Sequence, residues 1–208
     1  MRLARAKVEA AALALARASN PQDEIFVLNF ADKARIDVPF TSDVRVLEAG
    51  IARADAIGGT AMRDAVDMAE GYLRDRAARD RKVLIVITDG NDNASTVALG
   101  QIRQAAEQLD IVIFAVGLTH EAARAPIAHH DLDQLAEKTG GFAYYPASID
   151  AVDAVALDIA RKIRSQYTLA YAPINQALDG SYRTIRLEVA GAEHFAVRTR
   201  PGYRASKP

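Results

Sequence analysis

Two short loops of this sequence carry side chains suited to holding a hard cation. One is Gly58-Gly59-Thr60, placed before a helical pattern. The other is Thr88-Asp89-Gly90, placed directly after the most apolar stretch of the chain and continuing through Asp92, Asn93 and Ser95. A hydroxyl and a carboxylate at adjacent strand ends suit Mg²⁺, which takes oxygen ligands in octahedral geometry and keeps several waters. The glycines let backbone approach such a site closely.

Plainer roles compete for the same residues. Thr60 is also a good helix N-cap, and Asp89 can cap the next helix or shape the turn at Gly90. Asp64 reads as a hydrogen-bonder at a helix start. Asp92, Asn93 and Ser95 either contact a partner or order their own loop through local hydrogen bonds, and the second reading is preferred. His129-His130 with Asp131 and Asp133 has the composition of a zinc site. Successive residues on a helix do not share a face, however, so a helix start is the better reading. The tyrosines at 144, 145, 167, 171, 182 and 203 read as strand packing, not as a platform for stacked bases.

Composition narrows the function classes. Half of the 208 residues are apolar and a quarter are charged, which suits one globular domain with an appendage. A net charge of −1 gives no basic field for nucleic acid. There is no cysteine, hence no disulfide, thiolate metal site or thiol nucleophile. No apolar run reaches the ~20 residues of a membrane span. The first residues read as an amphipathic helix and not as a signal peptide. The motifs G-x-S-x-G, G-x-G-x-x-G, H-E-x-x-H and the phosphate-loop pattern are all missing, so the chain is expected not to be an enzyme.

The elements that must position the two loops follow from periodicity. Helical spacing over 2–18 ends at Asn20-Pro21. IFVLNF (25–30) and ARIDVPF (34–40) form a hairpin that turns at Asp32-Lys33. Thr41-Ser42-Asp43 caps a helix through Ile51, and a further helix runs from Met62 through Leu73. VLIVIT (83–88) and IVIFAVGL (111–118) are strands buried on both faces, with a helix over about 96–109 between them. A helix over 129–141, a short strand FAYY (142–145) and a helix over 149–165 follow. This alternation predicts a doubly wound, mostly parallel α/β sheet over 1–165. Residues 166–208 change grammar. QYTLAYAP (166–173), YRTIRLEVA (182–190) and FAVRTRPGY (195–203) alternate like half-exposed strands and predict an antiparallel β extension, with a turn at Asp179-Gly180.

The segments IFVLNFADKARIDVPFTSD, IGGTAMRDAV, KVLIVITDGNDNAS and IVIFAVGL, in that order, resemble von Willebrand factor type A domains. The C-terminal segment resembles the extension of a bacterial subgroup of that family. The resemblance implies a Rossmann-like adhesion or protein-binding module with a metal-ion-dependent adhesion site. Thr60 matches the family's threonine ligand and Asp89 its aspartate ligand. The open position of a bound Mg²⁺ or Mn²⁺ would accept a partner's carboxylate. The family's D-x-S-x-S run and the central strand before it do not occur in this sequence. Met1 is therefore expected to correspond to the methionine that closes the run, making the domain N-terminally truncated and its sheet short of a central strand. The resemblance also implies an exported parent protein, periplasmic, cell-surface or secreted. A metal-independent scaffold that works through the C-terminal strands is the alternative. One hydroxyl and one carboxylate make a weak site, so this chain is expected to hold no Mg²⁺ or Mn²⁺ at micromolar concentration. Calorimetric titration of the purified chain checks this, and a micromolar isotherm contradicts it.

Overall fold

The structure is a computed structural model in which residues 2–53, 58–89, 91–118, 126–190 and 197–205 are described. The elements run α1 (Arg2–Ala18), β1 (Ile25–Phe30), β2 (Ala34–Thr41), α2 (Val44–Ile51), α3 (Met62–Arg76), β3 (Lys82–Thr88), α4 (Leu99–Gln108), β4 (Ile111–Gly117), α5 (Pro126–Thr139), β5 (Ala143–Tyr144), α6 (Val152–Arg164), β6 (Tyr182–Thr184) and β7 (Gly202–Arg204). A single 3₁₀ turn, Ile149–Ala151, leads into α6. The α/β alternation predicted over 1–165 is present.

β3, β4 and β5 form a parallel sheet in that order, with Lys82 opposite Ile111 and Thr88 opposite Gly117. β1 and β2 form a separate antiparallel hairpin. Side chains on β4 alternate between two helical layers, as the period-2 pleat requires. Ile111, Ile113 and Ala115 pack in a core shared with Met62, Val66 and Leu73 of α3, Ile102 and Ala106 of α4, and Leu132 and Leu135 of α5. Phe114 and Val116 pack on the other face with Ile159 of α6 and Leu15 of α1. Helices therefore cover both faces of the sheet.

β3 differs from its expected environment. Six of the seven β4 positions are buried, but only Val86 and Thr88 are buried in β3. Val83, Leu84, Ile85 and Ile87 stay partly accessible although helices cover both faces. The cause is lateral: among the described residues β3 pairs with β4 on one side and with no strand on the other. The parallel sheet and the β1–β2 hairpin therefore stand as two sheets, joined by no strand pairing among the described residues.

Local signals account for several boundaries. Asp43 caps α2 by accepting the Arg45 N–H at 2.9 Å. α5 ends in a left-handed Gly140 (φ 83°), with the Gly141 N–H bonded back to the Ala136 carbonyl at 2.9 Å. The C-terminal extension is antiparallel as expected, but its strands are shorter than the pattern predicts and the first expected one is not formed. Among its described residues Tyr182–Thr184 and Gly202–Arg204 alone pair as strands, and they do so antiparallel. Residues 166–173 are extended in pattern but form no strand, and their large side chains face solvent. Alternation alone does not make a strand when no edge accepts it. Residues 195 and 196 of the third expected strand lie outside the described residues.

One core residue violates the apolar pattern. Glu70 of α3 is 2% exposed, and neither carboxylate oxygen has a hydrogen-bond partner. Burial, reinforced by the nearby Asp67 charge, pushes its carboxyl up to about 8. The proton is favoured in the folded state, so Glu70 adds no ionisation penalty below pH ~4.5, and that penalty grows as pH rises from there through the folded value. Glu70→Gln should therefore raise the melting temperature at pH 8 by several degrees and change it little at pH 4.5. Thermal denaturation at the two pH values measures this, and equal shifts would contradict it.

Candidate functional site

Three loops meet where β1 and β3 end. They are the β1–β2 turn, the segment entering α3, and the segment after β3. The Ala61 N–H donates to the Ala31 carbonyl at 2.8 Å, and the Gly59 N–H donates to the Asp32 carboxylate. The Asn93 N–H donates to the Thr60 carbonyl at 3.0 Å, and the Thr60 N–H donates back to the Asn93 side-chain oxygen at 2.8 Å. Gly58 has φ 115°, a conformation glycine adopts without strain. A Cβ on Gly59 would sit 2.8 Å from the Asn93 side chain and 2.9 Å from that of Asp32. Both glycines are thus required by close approach of neighbouring loops.

Asp64 at the start of α3 and Asp92 in the loop after β3 tie the two together. Asp92 accepts the Arg63 N–H at 2.8 Å, the Ser95 N–H at 3.1 Å and the Ser95 hydroxyl at 2.7 Å. The Ser95 hydroxyl accepts the Asp64 N–H at 3.0 Å. Asp64 in turn accepts the N–H groups of Thr96 and Val97 at 2.8 and 2.9 Å. The N–H groups of Arg63 and Asp64, in the first turn of α3 and without a partner inside the helix, are thus satisfied by the second loop. Burial alone would raise Asp92, but the N–H and hydroxyl donors of Arg63 and Ser95 outweigh it and hold the carboxyl below its usual range. Burial raises Asp131, and the Arg63 charge only partly opposes this. The Arg63 Nε lies between the two acids, 3.3 Å from Asp92 Oδ2 and 3.8 Å from Asp131 Oδ2.

Thr60 and Asp89 stand on neighbouring loops of this platform, Asp89 exposed at the carboxyl end of β3 and Thr88 buried behind it. Gly90 lies outside the described residues. Asp92, Asn93 and Ser95 spend their oxygens on ordering loops, not only their own but the start of α3 as well. Two helix-cap readings are corrected. The residue before α3 is Ala61, not Thr60, and α4 begins at Leu99, too far along the chain for Asp89 to cap it. Residues 91–98 are a bonded loop and not the first turn of α4. Asp32 is the participant that the sequence hid, since a turn residue carries no local sign that it will receive a distant N–H.

These donors do not make a metal centre by themselves. Among the described residues no group of three or more His, Asp or Glu side chains gathers around a point. The nearby carboxylates are already acceptors for backbone N–H groups. His129 stacks on Tyr145, with ring centroids 3.9 Å apart, while Tyr145 donates to Asp133 at 2.7 Å. Asp131 is buried toward Arg63, away from the His129–Tyr145–Asp133 contact.

The family model for the von Willebrand factor type A domain matches residues 1–91. The chain has a von Willebrand factor type A fold. A von Willebrand factor type A protein from Catenulispora acidiphila superposes with a TM-score of 0.65 at 19% identity, over 76% of this chain and 38% of that one. The vWF domain of the type V pili tip protein Mfa5 from Porphyromonas gingivalis gives 0.65 at 12% identity, over 81% and 92%. Proximal thread matrix protein 1 from the mussel byssus, with a zinc-occupied MIDAS motif, gives 0.62 at 19% identity, over 75% and 39%. This chain thus spans well under half of the Catenulispora protein. No curated protein matches the sequence.

The Asp92 clamp makes a quantitative expectation. Its side chain is fully enclosed and faces a charged partner, so Asp92→Ala should cost ~3 kcal/mol, as removal of one member of a buried pair does. Asp64→Ala should cost ~1 kcal/mol, the worth of a cap. Because the Asp92 carboxyl is depressed, its contribution is present above the ordinary carboxylate range and is lost as pH falls through the folded value. Urea denaturation of both variants at pH 7 measures the difference, and equal losses would refute the ranking.

Proposed function

We propose that this chain is a non-catalytic protein-binding module whose contact surface is the loop platform at the carboxyl ends of β1 and β3. The observation that carries the reading is the cross-linking of three loops by side-chain-to-backbone hydrogen bonds. A platform held in one shape loses little entropy when it binds. Ligand sites of open α/β sheets lie beyond the carboxyl ends of strands, which is where this platform sits.

In this reading Thr60 and Asp89 are two ligands of a divalent-cation site, for Mg²⁺ or Mn²⁺. The remaining ligands come from outside the described residues, and a partner's carboxylate supplies one of them. Gly58, Gly59, Thr88, Gly90, Asp92, Asn93 and Ser95 shape the loops around the two donors. Residues 1–165 are the binding domain and 166–208 its extension. The parent is an exported protein, a reading supported by the pilus-tip protein among the similar structures. Among the described residues no helix is long and apolar enough to cross a membrane.

A metal-independent scaffold is the second reading, favoured by the exposed Leu178, Leu187 and Val189 of the extension. The two readings separate in one binding experiment with a captured protein partner. The first requires EDTA or Asp89→Ala to weaken binding at least tenfold while the melting temperature holds. Under the second, neither matters and deletion of 166–208 abolishes binding.

A further inference from the structure

A groove of about 220 Å³ lies between α4, the end of α5 and the β6–β7 hairpin, and none of its lining residues belongs to the loop platform. Its walls are Arg103, Gln104 and Glu107 of α4, Lys138 in the last turn of α5, and Tyr182 and Arg204 of the hairpin. Three cations thus face one concavity against a single carboxylate, in a chain whose net charge is −1. Among the described residues neither Lys138 nor Arg204 has an ion pair or a side-chain hydrogen bond. Arg103 gives one N–H to Gln134 of α5 at 3.2 Å and keeps its other donors. Like charges gathered in one groove repel each other, so the arrangement is costly until a counter-charge joins it. A cation in the last turn of α5 favours that helix, which accounts for Lys138 but not for Arg103 or Arg204.

The hairpin is held against the domain, so Arg204 has a fixed place in the groove. Arg200 pairs with Asp110, the residue before β4, and the Arg198 guanidinium lies 4.4 Å from the centre of the Phe142 ring. Gly140 at the end of α5 approaches the Arg200 backbone so closely that a Cβ would fall 2.8 Å from its nitrogen. Size and charge then select the ligand. The groove is smaller than the ~300–1,000 Å³ clefts that enclose small molecules, so it takes a group of side-chain size. Glu107 would repel a phosphate dianion more strongly than a single carboxylate. Beside a bound carboxylate, Glu107 and Gln104 are free to accept peptide N–H groups, and the guanidinium forks match the carboxylate bidentately. We propose that this groove is a second protein-binding site, which takes an Asp or Glu side chain of an acidic peptide segment. Arg103, Lys138 and Arg204 surround the carboxylate. The site is independent of any cation at Thr60 and Asp89, and it exists only because the extension supplies Tyr182 and Arg204.

The full chain tests this with a fluorescein-labelled hexaglutamate peptide, followed by anisotropy in EDTA so that no cation at the platform can hold the peptide. The peptide should bind and a hexaserine peptide should not; no binding of the acidic peptide would overturn the proposal. Lys138→Gln and Arg204→Gln should each weaken binding about tenfold, the worth of one charge-assisted hydrogen bond. Arg45→Gln removes an exposed cation of α2 outside the groove and should leave binding nearly unchanged. Equal effects of the three substitutions would reveal only a general charge effect and would sink the site. Inorganic phosphate binding more tightly than the peptide would overturn the choice of ligand. The unaltered chain gives a second reading that no misfolded variant can confound. Addition of the peptide should shift the backbone amide resonances of Gly100, Gln104 and Tyr182, and shifts confined to other residues would place the peptide elsewhere and refute the proposal.

Discussion

Because the two sheets share no strand pairing among the described residues, everything in this fold depends on what else holds them together. At the platform end the answer is a set of carboxylates and one amide that accept backbone N–H groups from other loops. Asp32 reaches the α3 entry from the hairpin, Asn93 and Asp92 reach it from the segment after β3, and Asp64 returns the contact. These bonds are short in space and long in sequence, spanning 27 to 33 residues. Each satisfies a helix-start or loop N–H; the one to the Arg63 N–H is part-buried, where an unmade bond is more costly than a made one is stabilising. Beneath the platform α3 lies across both sheets and shares its apolar face with β1, β2 and β3.

The same bonds constrain the chemistry. An acidic cluster at strand ends suggests cation binding in outline, yet the carboxylates nearest the platform are committed to nitrogen donors. The depressed carboxyl of Asp92 is a sign of that commitment, since donors that stabilise its charge outweigh the burial that opposes it. Asp131 shows the opposite balance, because it is buried with only the partial help of Arg63. Thr60 and Asp89 stand apart from these committed acids, on loops that the same bonds hold in place.

Legibility in the sequence followed the range of the forces involved. β1, β2, β3 and β4 were readable to within a residue or so, because hydrophobic periodicity and turn residues act locally. α2 was readable from Asp43 for the same reason. The start of α4 was not: residues 96–98 have helical composition, but distant Asp64 takes the N–H groups of Thr96 and Val97 and fixes them as loop. Strand pairing in the extension failed similarly. Alternation in 166–173 specifies a surface that would fit a pleated sheet, and says nothing about whether an edge is there to receive it.

The sequence by itself determined the α/β alternation, the parallel β3–β4 core, and the placing of Thr60 and Asp89 in loops at strand ends. These depend on each residue's own preference for water, helix or strand. Only tertiary structure decided that Asp92, Asn93 and Ser95 serve α3 as well as their own loop, and that Asp32 joins them. Hydrogen bonds across some thirty residues and the presence of a neighbouring strand belong to the whole chain. No local window of the sequence contains them.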